Sequence, residues 1–145
     1  MARKFAKIRP NVWRTRLQGF SPEAKLLGIY FMTNDRFQMV GIYHLPKVNM
    51  ELETGLSDSE IEDALSDLIE NEFCKYDEYS MFVWVVDMAF SQVADNPNDN
   101  QIKGILAELS RIYFEEECDF VKDFLVHYGS RYDFLPGEAE ELDCW

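Results

Sequence analysis

The sequence is poor in the residues that build metal centres. It has two histidines, His44 and His127, and three scattered cysteines, Cys74, Cys118 and Cys144, with no CxxC pair. A structural zinc site normally shows clustered pairs of ligands, so this spacing indicates ordinary histidines and reduced structural thiols. We therefore expect no bound metal and no cofactor.

Patterns typical of an enzyme are also missing. Catalysis requires a nucleophile beside a base, paired carboxylates in a cleft or a metal cluster, and the chain has no glycine-rich phosphate loop. The consecutive Glu115, Glu116 and Glu117 would spread around a helix, which is typical of a solvated face. The acidic segment DNPNDN fails as a calcium loop, because Pro97 takes a ligand position and Leu106 stands where the closing Glu belongs. We predict no catalytic residues and a protein that is not an enzyme.

Long apolar runs are absent as well. No run approaches the roughly 18 residues that a membrane span requires, and the N-terminal stretch MARKFAKIRP lacks the apolar segment of a signal peptide. At 145 residues and 47% hydrophobic composition, the chain is long enough for one real core. We expect a cytoplasmic protein without a membrane partner.

Basic residues are scarce beyond the first third of the chain. Residues 1–50 hold nine Lys/Arg against two Asp/Glu, whereas residues 51–145 hold five against 25, within a net charge of −13. Such a split indicates one face for an anionic partner and another that repels it or attracts a basic one.

The N-terminal arm carries the nucleic-acid signal of the sequence. Its candidate nucleic-acid-binding residues are Arg3, Lys4, Lys7, Arg9, Arg14 and Arg16. They are interleaved with Phe5 and Trp13 and are enough for several phosphate contacts. They would equally serve to balance the acidic half, in the same chain or in a second copy, and charge alone does not decide between these roles. Trp13 itself is expected in the core.

Hydrophobic periodicity and capping signals predict an α+β fold. The predicted elements are helices near residues 22–34, 46–54 and 58–71, a short strand stopped by Pro46, a two-stranded ribbon over 73–88, and helices near 101–114 and 116–128. Gly55 is the expected residue after a helix end. Ser57 and Glu60 match a capping box, and an apolar stripe of helical spacing follows them.

The helix that begins after Ser57 is acidic on its outer side. From Ser57 to Glu72 the sequence has seven carboxylates and no Lys or Arg. The predicted partner-binding acidic face consists of Asp58, Glu60, Glu62, Asp63, Asp67 and Glu70. Carboxylates meet phosphate with like charge and release no counterions, so this helix is a poor reader of a DNA groove. We expect it to contact protein or solvent.

In this order the segments resemble the winged-helix domains of phage-encoded replication proteins, including replisome organisers and the N-terminal domain of DnaD-like primosomal proteins. The resemblance covers about residues 5–100 and rests on Trp13, Ser21–Tyr30, Thr54–Ser57, Lys75–Asp77, Phe82–Val86 and Asn96–Asn98. It implies a winged helix-turn-helix with a two-to-three-stranded β-wing and two additional C-terminal helices. The expected organisation is a basic arm (1–20), a winged-helix domain (21–95), a C-terminal helical extension (96–130) and an acidic tail (131–145).

The resemblance implies a phage or prophage protein that acts in DNA replication or in the takeover of a host machine. Since catalytic patterns are missing and one helix is acidic, we expect an adaptor that contacts a host or phage protein of the replication or transcription machinery. One alternative is a DNA-binding replication or regulatory protein that uses the arm and wing. Another is an acidic DNA mimic that inhibits a host nucleic-acid-binding enzyme. A phage-encoded protein would work in the host cytoplasm.

The two C-terminal helices carry more apolar side chains than a winged-helix domain usually needs to cover. Val121, Phe124 and Tyr128 are the candidate self-association residues. Either they pack across the domain's own open side, or they pair with a second copy in a homodimer, which we favour. In such a dimer the basic arm of one chain would lie against the acidic half of the other. Within the tail, the acidic stretch PGEAEELDCW (residues 136–145) is expected to be loose until something binds it.

Overall fold

The fold is known from a computed structural model, which describes residues 5–144 and, among their side chains, those of residues 5–142. The chain divides into two compact units, one ending at Gln92 and the other beginning at Val93. The described residues form six α-helices and one antiparallel sheet of three strands. The predicted α+β class is thus confirmed.

The N-terminal unit contains the three helices and the ribbon that the sequence predicted. Its elements are a 3-10 turn at Pro10–Trp13, α1 at Pro22–Thr33, β1 at Ile42–His44, α2 at Lys47–Thr54, α3 at Asp58–Glu70, β2 at Cys74–Asp77, β3 at Phe82–Val85 and α4 at Met88–Gln92. The 3-10 turn and α4 are additions to the predicted set, because elements of four or five residues are too short to show a periodic pattern.

The helix ends of this unit follow the predicted capping chemistry. Ser21 caps α1 by accepting a hydrogen bond from the Ala24 N–H. Ser57 and Glu60 form a complete capping box at the start of α3. Gly55 ends α2 with φ of 80°, in the left-handed region where glycine carries no Cβ penalty.

The sheet has the order β1-β3-β2, with both pairings antiparallel. Trp84 of β3 lies opposite Ile42 on one side and Lys75 on the other. All four residues of β3 are buried, as expected for the central strand, whose backbone is paired on both edges.

The core of the N-terminal unit lies between α1, α3 and one side of the sheet. Leu27 and Phe31 of α1 and Leu65 and Leu68 of α3 belong to this buried cluster. Leu17 from the N-terminal segment also belongs to it, so this segment is part of the folded unit.

Trp13 lies outside this core, and the expectation that it is buried was wrong. Its side chain is 56% exposed, whereas that of its neighbour Val12 is buried. The short 3-10 turn allows only one of these adjacent side chains to face the core, and Val12 takes that place. The exposed indole therefore remains on the surface beside the basic residues of the arm.

The C-terminal unit is helical. It contains α5 at Asp99–Ser110, a π-helical turn at Arg111–Glu115, α6 at Phe120–Tyr128 and a 3-10 helix at Ala139–Cys144. The second C-terminal helix was predicted near residues 116–128, but α6 begins at Phe120. Glu117 adopts a φ of 54°, which interrupts the helical backbone.

The acidic tail is more ordered than the sequence predicted. Tyr132, Ala139 and Leu142 are buried, and the 3-10 helix contacts both α5 and α6. The expectation of a loose tail is thus corrected for its described residues. The prediction followed the acidic composition, whereas a few apolar residues spaced along the segment hold it in place.

The candidate self-association residues Val121, Phe124 and Tyr128 are all buried in the folded chain. The rings of Phe124 and Tyr128 have centroids 4.6 Å apart, and Tyr132 from the tail stacks on Tyr128 at 5.7 Å. The favoured expectation that these three side chains pair with a second copy is therefore corrected, because the chain itself covers them. A homodimer remains a prediction, without these residues as its contact.

Among the described residues, the helices are too short or too polar to cross a lipid bilayer.

Two glycines test how the turns constrain the N-terminal unit. Gly41 and Gly55 have φ of 81° and 80°, but only at Gly41 would a Cβ lie 2.8 Å from the Val85 carbonyl oxygen. Gly55→Ala should cost about 1 kcal/mol in the free energy of unfolding, from the left-handed backbone alone. Gly41→Ala should cost about 1–3 kcal/mol more, because the neighbouring strand must shift. Urea unfolding measures both, and equal losses would contradict the close approach.

Candidate functional site

The outer side of α3 is the most strongly charged helical surface of the N-terminal unit. The helix buries Ile61, Ala64, Leu65 and Leu68, so its acidic residues point away from the core. Of the six predicted face residues, five are exposed and Asp67 is half-buried. The structure thus places them on one helix, although they differ in what they contact.

The Glu60 carboxylate forms a hydrogen bond at the start of its own helix. Its carboxylate accepts a hydrogen bond from the Ser57 N–H at 2.9 Å, while the Ser57 hydroxyl accepts from the Glu60 N–H at 3.3 Å. These contacts, first that with the Ser57 N–H, lower the pKa of Glu60 below its ordinary value. Glu60 therefore caps the helix and is less available to bind a partner.

Glu62 is occupied by Lys47, the first residue of α2. The Lys47 Nζ lies 2.6 Å from Glu62 and 2.7 Å from Glu78 in the hairpin turn, and it sits above the Tyr76 ring. Partial burial disfavours the charge of Lys47, but the two carboxylates raise its pKa overall. One cation thus links α2, α3 and the hairpin, and its charge is shared between two structural partners.

Three carboxylates of α3 then form a free row. Asp63, Asp67 and Glu70 follow one another at helical spacings of four and three residues, which places them along one side of the helix. The row spans about 10 Å along the helix axis. Among the described side chains, none provides these three, or Asp58, with an ion-pair partner. We call Asp63, Asp67 and Glu70 the acidic stripe.

The predicted basic arm is only partly brought together. Arg3 and Lys4 lie outside the described residues, whereas Lys7, Arg9 and Arg14 are exposed. Arg16 is held against the core instead. Its guanidinium lies 4.5 Å from the centre of the Phe73 ring and donates to the Met32 Sδ at 3.4 Å.

The exposed part of the arm is fixed to the unit. The Lys7 N–H donates to the Gln92 Oε1 at 3.2 Å, and the Gln92 Nε2 donates back to the Lys7 carbonyl at 2.7 Å. Val12 and Leu17 anchor the segment further along. Because both ends are held, Lys7, Arg9, Trp13 and Arg14 are exposed side chains on an anchored segment of backbone.

The described residues hold no cluster of three His, Cys, Asp or Glu side chains that is suited to a metal ion. Cys74 and Cys118 are buried, and burial raises the pKa of the Cys74 thiol to about 12. Such a thiol is protonated at neutral pH and is a poor nucleophile.

The C-terminal unit has a shallow groove of about 470 Å³ between α6 and the tail. Lys122, Leu125, Val126 and Glu140 are among its lining residues. Glu140 accepts a hydrogen bond from the Tyr113 hydroxyl at 2.9 Å. The lining side chains include no nucleophile paired with a base.

The sequence missed one exposed apolar surface. Val48 and Leu52, four residues apart on α2, are 59% and 78% exposed, and Tyr79 at the hairpin turn is 96% exposed. The spacing of Val48 and Leu52 was visible in the sequence. Met50 lies on another side of the same short helix, so periodicity alone did not show which apolar side faces the core.

Similarity to known proteins does not place the chain in a family. Comparison with protein-family models, curated proteins and solved structures finds no match. The resemblance to winged-helix replication domains stays a prediction.

The role of Glu60 in capping predicts a pH dependence. Its lowered pKa means that its contribution to stability is present above the ordinary pKa of 4.5 and is lost as pH falls through the lower folded value. Glu60→Ala should therefore destabilise the protein at neutral pH, and the difference from wild type should shrink in acid. Thermal unfolding between pH 7 and about pH 3 measures this. Glu70→Ala, which removes no cap, should show no such loss, and a constant Glu60→Ala difference would contradict the capping role.

Proposed function

We propose that the N-terminal unit is a winged-helix-type domain in which α3 takes the place of the recognition helix. Three observations support this assignment. The three residues Gly55–Ser57 link α2 to α3, the strands have the order β1-β3-β2, and β2 and β3 form a hairpin directly after α3. This is the arrangement of a helix-turn-helix followed by a wing.

The function we infer for this domain is that of a non-enzymatic adaptor that works through protein contacts. The acidic stripe on α3 carries this inference. Its carboxylates lie opposite the buried Ile61 and Leu65, and no described side chain forms an ion pair with them, so the helix would repel the phosphates of DNA. A protein with a basic surface would instead be attracted and oriented by the stripe.

The partner we propose is a host or phage protein of the replication or transcription machinery, in the host cytoplasm. Proteins that handle nucleic acid expose basic surfaces, which complement the acidic stripe. A DNA mimic stays a further prediction. Mimicry needs rows of carboxylates across one continuous face, whereas α3 provides a single free row of three in this unit.

The acidic stripe predicts a charge-dependent protein contact. Replacing Asp63 and Asp67 by Asn and Glu70 by Gln should reduce the partner captured from a bacterial lysate about tenfold, because the attraction that orients the complex is removed. Quantitative mass spectrometry of the captured proteins measures the loss.

A matched triple variant separates this site from the total charge. Glu115→Gln, Asp133→Asn and Glu141→Gln remove the same charge from exposed positions of the C-terminal unit. This variant should capture as much partner as wild type. Equal losses from both triples, or no loss from the α3 triple, would count against the proposed function.

DNA binding through the arm is the second candidate, and the exposure of Trp13 favours it. The segment that carries the exposed Lys7, Arg9 and Arg14 also carries an indole that is 56% exposed, so it offers both phosphate-binding cations and a surface for base stacking. The contacts of Lys7 with Gln92 hold these groups on a fixed platform. The hairpin would reach the duplex as a wing.

A mobility shift at about 50 and 200 mM salt tests the arm. If the arm binds DNA, affinity should fall steeply with salt, and Lys7→Gln, Arg9→Gln and Arg14→Gln together should reduce the slope by about two to three units. Trp13→Ala should weaken single-strand binding by about 1–3 kcal/mol. Lys103→Gln, an exposed change on α5, is the control. No shift by wild type at about 50 mM salt would exclude this candidate.

A further inference from the structure

The outer side of α2 carries an apolar ridge. Val48 and Leu52 lie on it one turn apart, with 59% and 78% of their surfaces exposed. Met50 and Thr54, on the opposite side of the helix, face the unit, and Met50 is fully buried. The exposure of the ridge therefore follows from the way α2 is seated rather than from fraying of its ends.

Contacts on both flanks hold α2 in this orientation. Towards α1, the Tyr30 hydroxyl donates to the Glu53 carboxylate at 2.5 Å and lies 3.3 Å from the Asn49 carbonyl. Towards α3, Lys47 reaches Glu62 at 2.6 Å. The ridge is therefore a preformed surface, which lowers the ordering cost for anything that binds it.

The hairpin turn adds an aromatic side chain near one end of the ridge. Glu78 pairs with Lys47 at 2.7 Å, so the turn lies beside the start of α2. Asp77 fixes this turn by accepting hydrogen bonds from the Tyr79 N–H and the Ser80 hydroxyl. Tyr79 is 96% exposed, and exposed tyrosines on rigid supports are common anchors of protein interfaces.

The charges around the ridge are mostly negative. Glu51 and Glu53 flank it on α2, and Glu62 and Glu78 lie at its start. Lys47, the cation at this end, is already paired with two carboxylates. An occupant with apolar side chains and positive charge would bury the ridge and neutralise its surroundings, whereas a nucleic acid or an acidic segment would be repelled.

We propose that the ridge of Val48 and Leu52, with Tyr79, docks a basic amphipathic helix of the partner protein. This inference rests on the proposed adaptor function and names the chemistry of the segment that the partner presents. In this complex, aliphatic side chains of the partner's helix, spaced one turn apart, lie along the ridge. Lys or Arg side chains on the flanks of the partner's helix reach Glu51 and Glu53. The binding mode is that of an amphipathic helix laid against an apolar surface.

A synthetic helix tests the chemistry directly. The probe is a labelled peptide of about 18 residues, long enough to be helical, with Leu one turn apart and Lys elsewhere. Fluorescence anisotropy should show that it binds the wild-type protein. A peptide of the same charge with every Leu replaced by Gln should bind at least tenfold more weakly. Equal binding of the two peptides would overturn the proposal, because charge alone would then explain the affinity.

Variants of the protein locate the contact. Val48→Ser with Leu52→Ser should weaken binding of the Lys/Leu peptide about tenfold, without changing the circular dichroism spectrum, since both positions are exposed. Val126→Ser is the matched control, because Val126 is 86% exposed on α6 of the C-terminal unit. Glu51→Gln should weaken binding and flatten its salt dependence. An unchanged affinity of the ridge variant, or equal losses in the control, would overturn the proposal.

The same variants separate this inference from the proposed function. If lysate capture needs the acidic stripe but not the ridge, the adaptor function stands and the docking proposal fails. Suppose that the Val48→Ser, Leu52→Ser variant no longer binds the Lys/Leu peptide, whereas the variant without the acidic stripe still captures the partner. The docking proposal then stands, and the proposed contact through α3 is wrong. Sedimentation velocity tests whether a second copy of the chain occupies the ridge instead. Self-association of the wild type that the ridge variant abolishes would assign the ridge to a second copy and overturn the proposal.

Discussion

The packing of α3 against α1 is the contact on which the rest of the N-terminal unit depends. Ile61, Leu65 and Leu68 occupy one side of α3 and bury against the core that Leu27 and Phe31 share. Burial of such side chains is worth about 1.5–3 kcal/mol each, far more than the surface charges contribute. The apolar stripe therefore fixes the rotation of the helix, and this rotation turns the acidic stripe outward. The position of the candidate site is a consequence of the core.

The carboxylates around this core form two groups: some stabilise the fold, and the others do not. Glu60 caps a helix, and Glu62 and Glu78 bind Lys47, so these residues stabilise the arrangement that displays the others. Asp63, Asp67 and Glu70 contribute nothing comparable to folding. Asp67 lies four residues from Asp63 and three residues from Glu70, and like charges at these helical spacings slightly destabilise a helix. Charges placed at a small energetic disadvantage on a rigid helix support the proposed contact with a partner protein.

The sequence predicted most of the N-terminal unit because its elements carry local signals. Ser57 and Glu60 mark the start of α3, Gly55 marks the end of α2, and both work over a few residues. What it missed depends on contacts between distant residues. Tyr132 belongs to a segment of acidic composition, and only its stacking on Tyr128 shows that this segment is packed. In the same way, the two stripes of α2 could not be assigned to core and surface before α1 and α3 were in place.

The charge split of the sequence does not follow the division of the structure. Most Asp and Glu residues lie after residue 50. The N-terminal unit, however, extends to Gln92 and contains ten Lys/Arg against 14 Asp/Glu, a net charge of −4. The C-terminal unit has four against 13 and a net charge of −9. The basic arm and the acidic stripe thus lie on one compact unit, with opposite signs on different segments. A DNA mimic needs one sign across a continuous face, so the mixed charge of this unit supports the proposed adaptor function over mimicry by this unit.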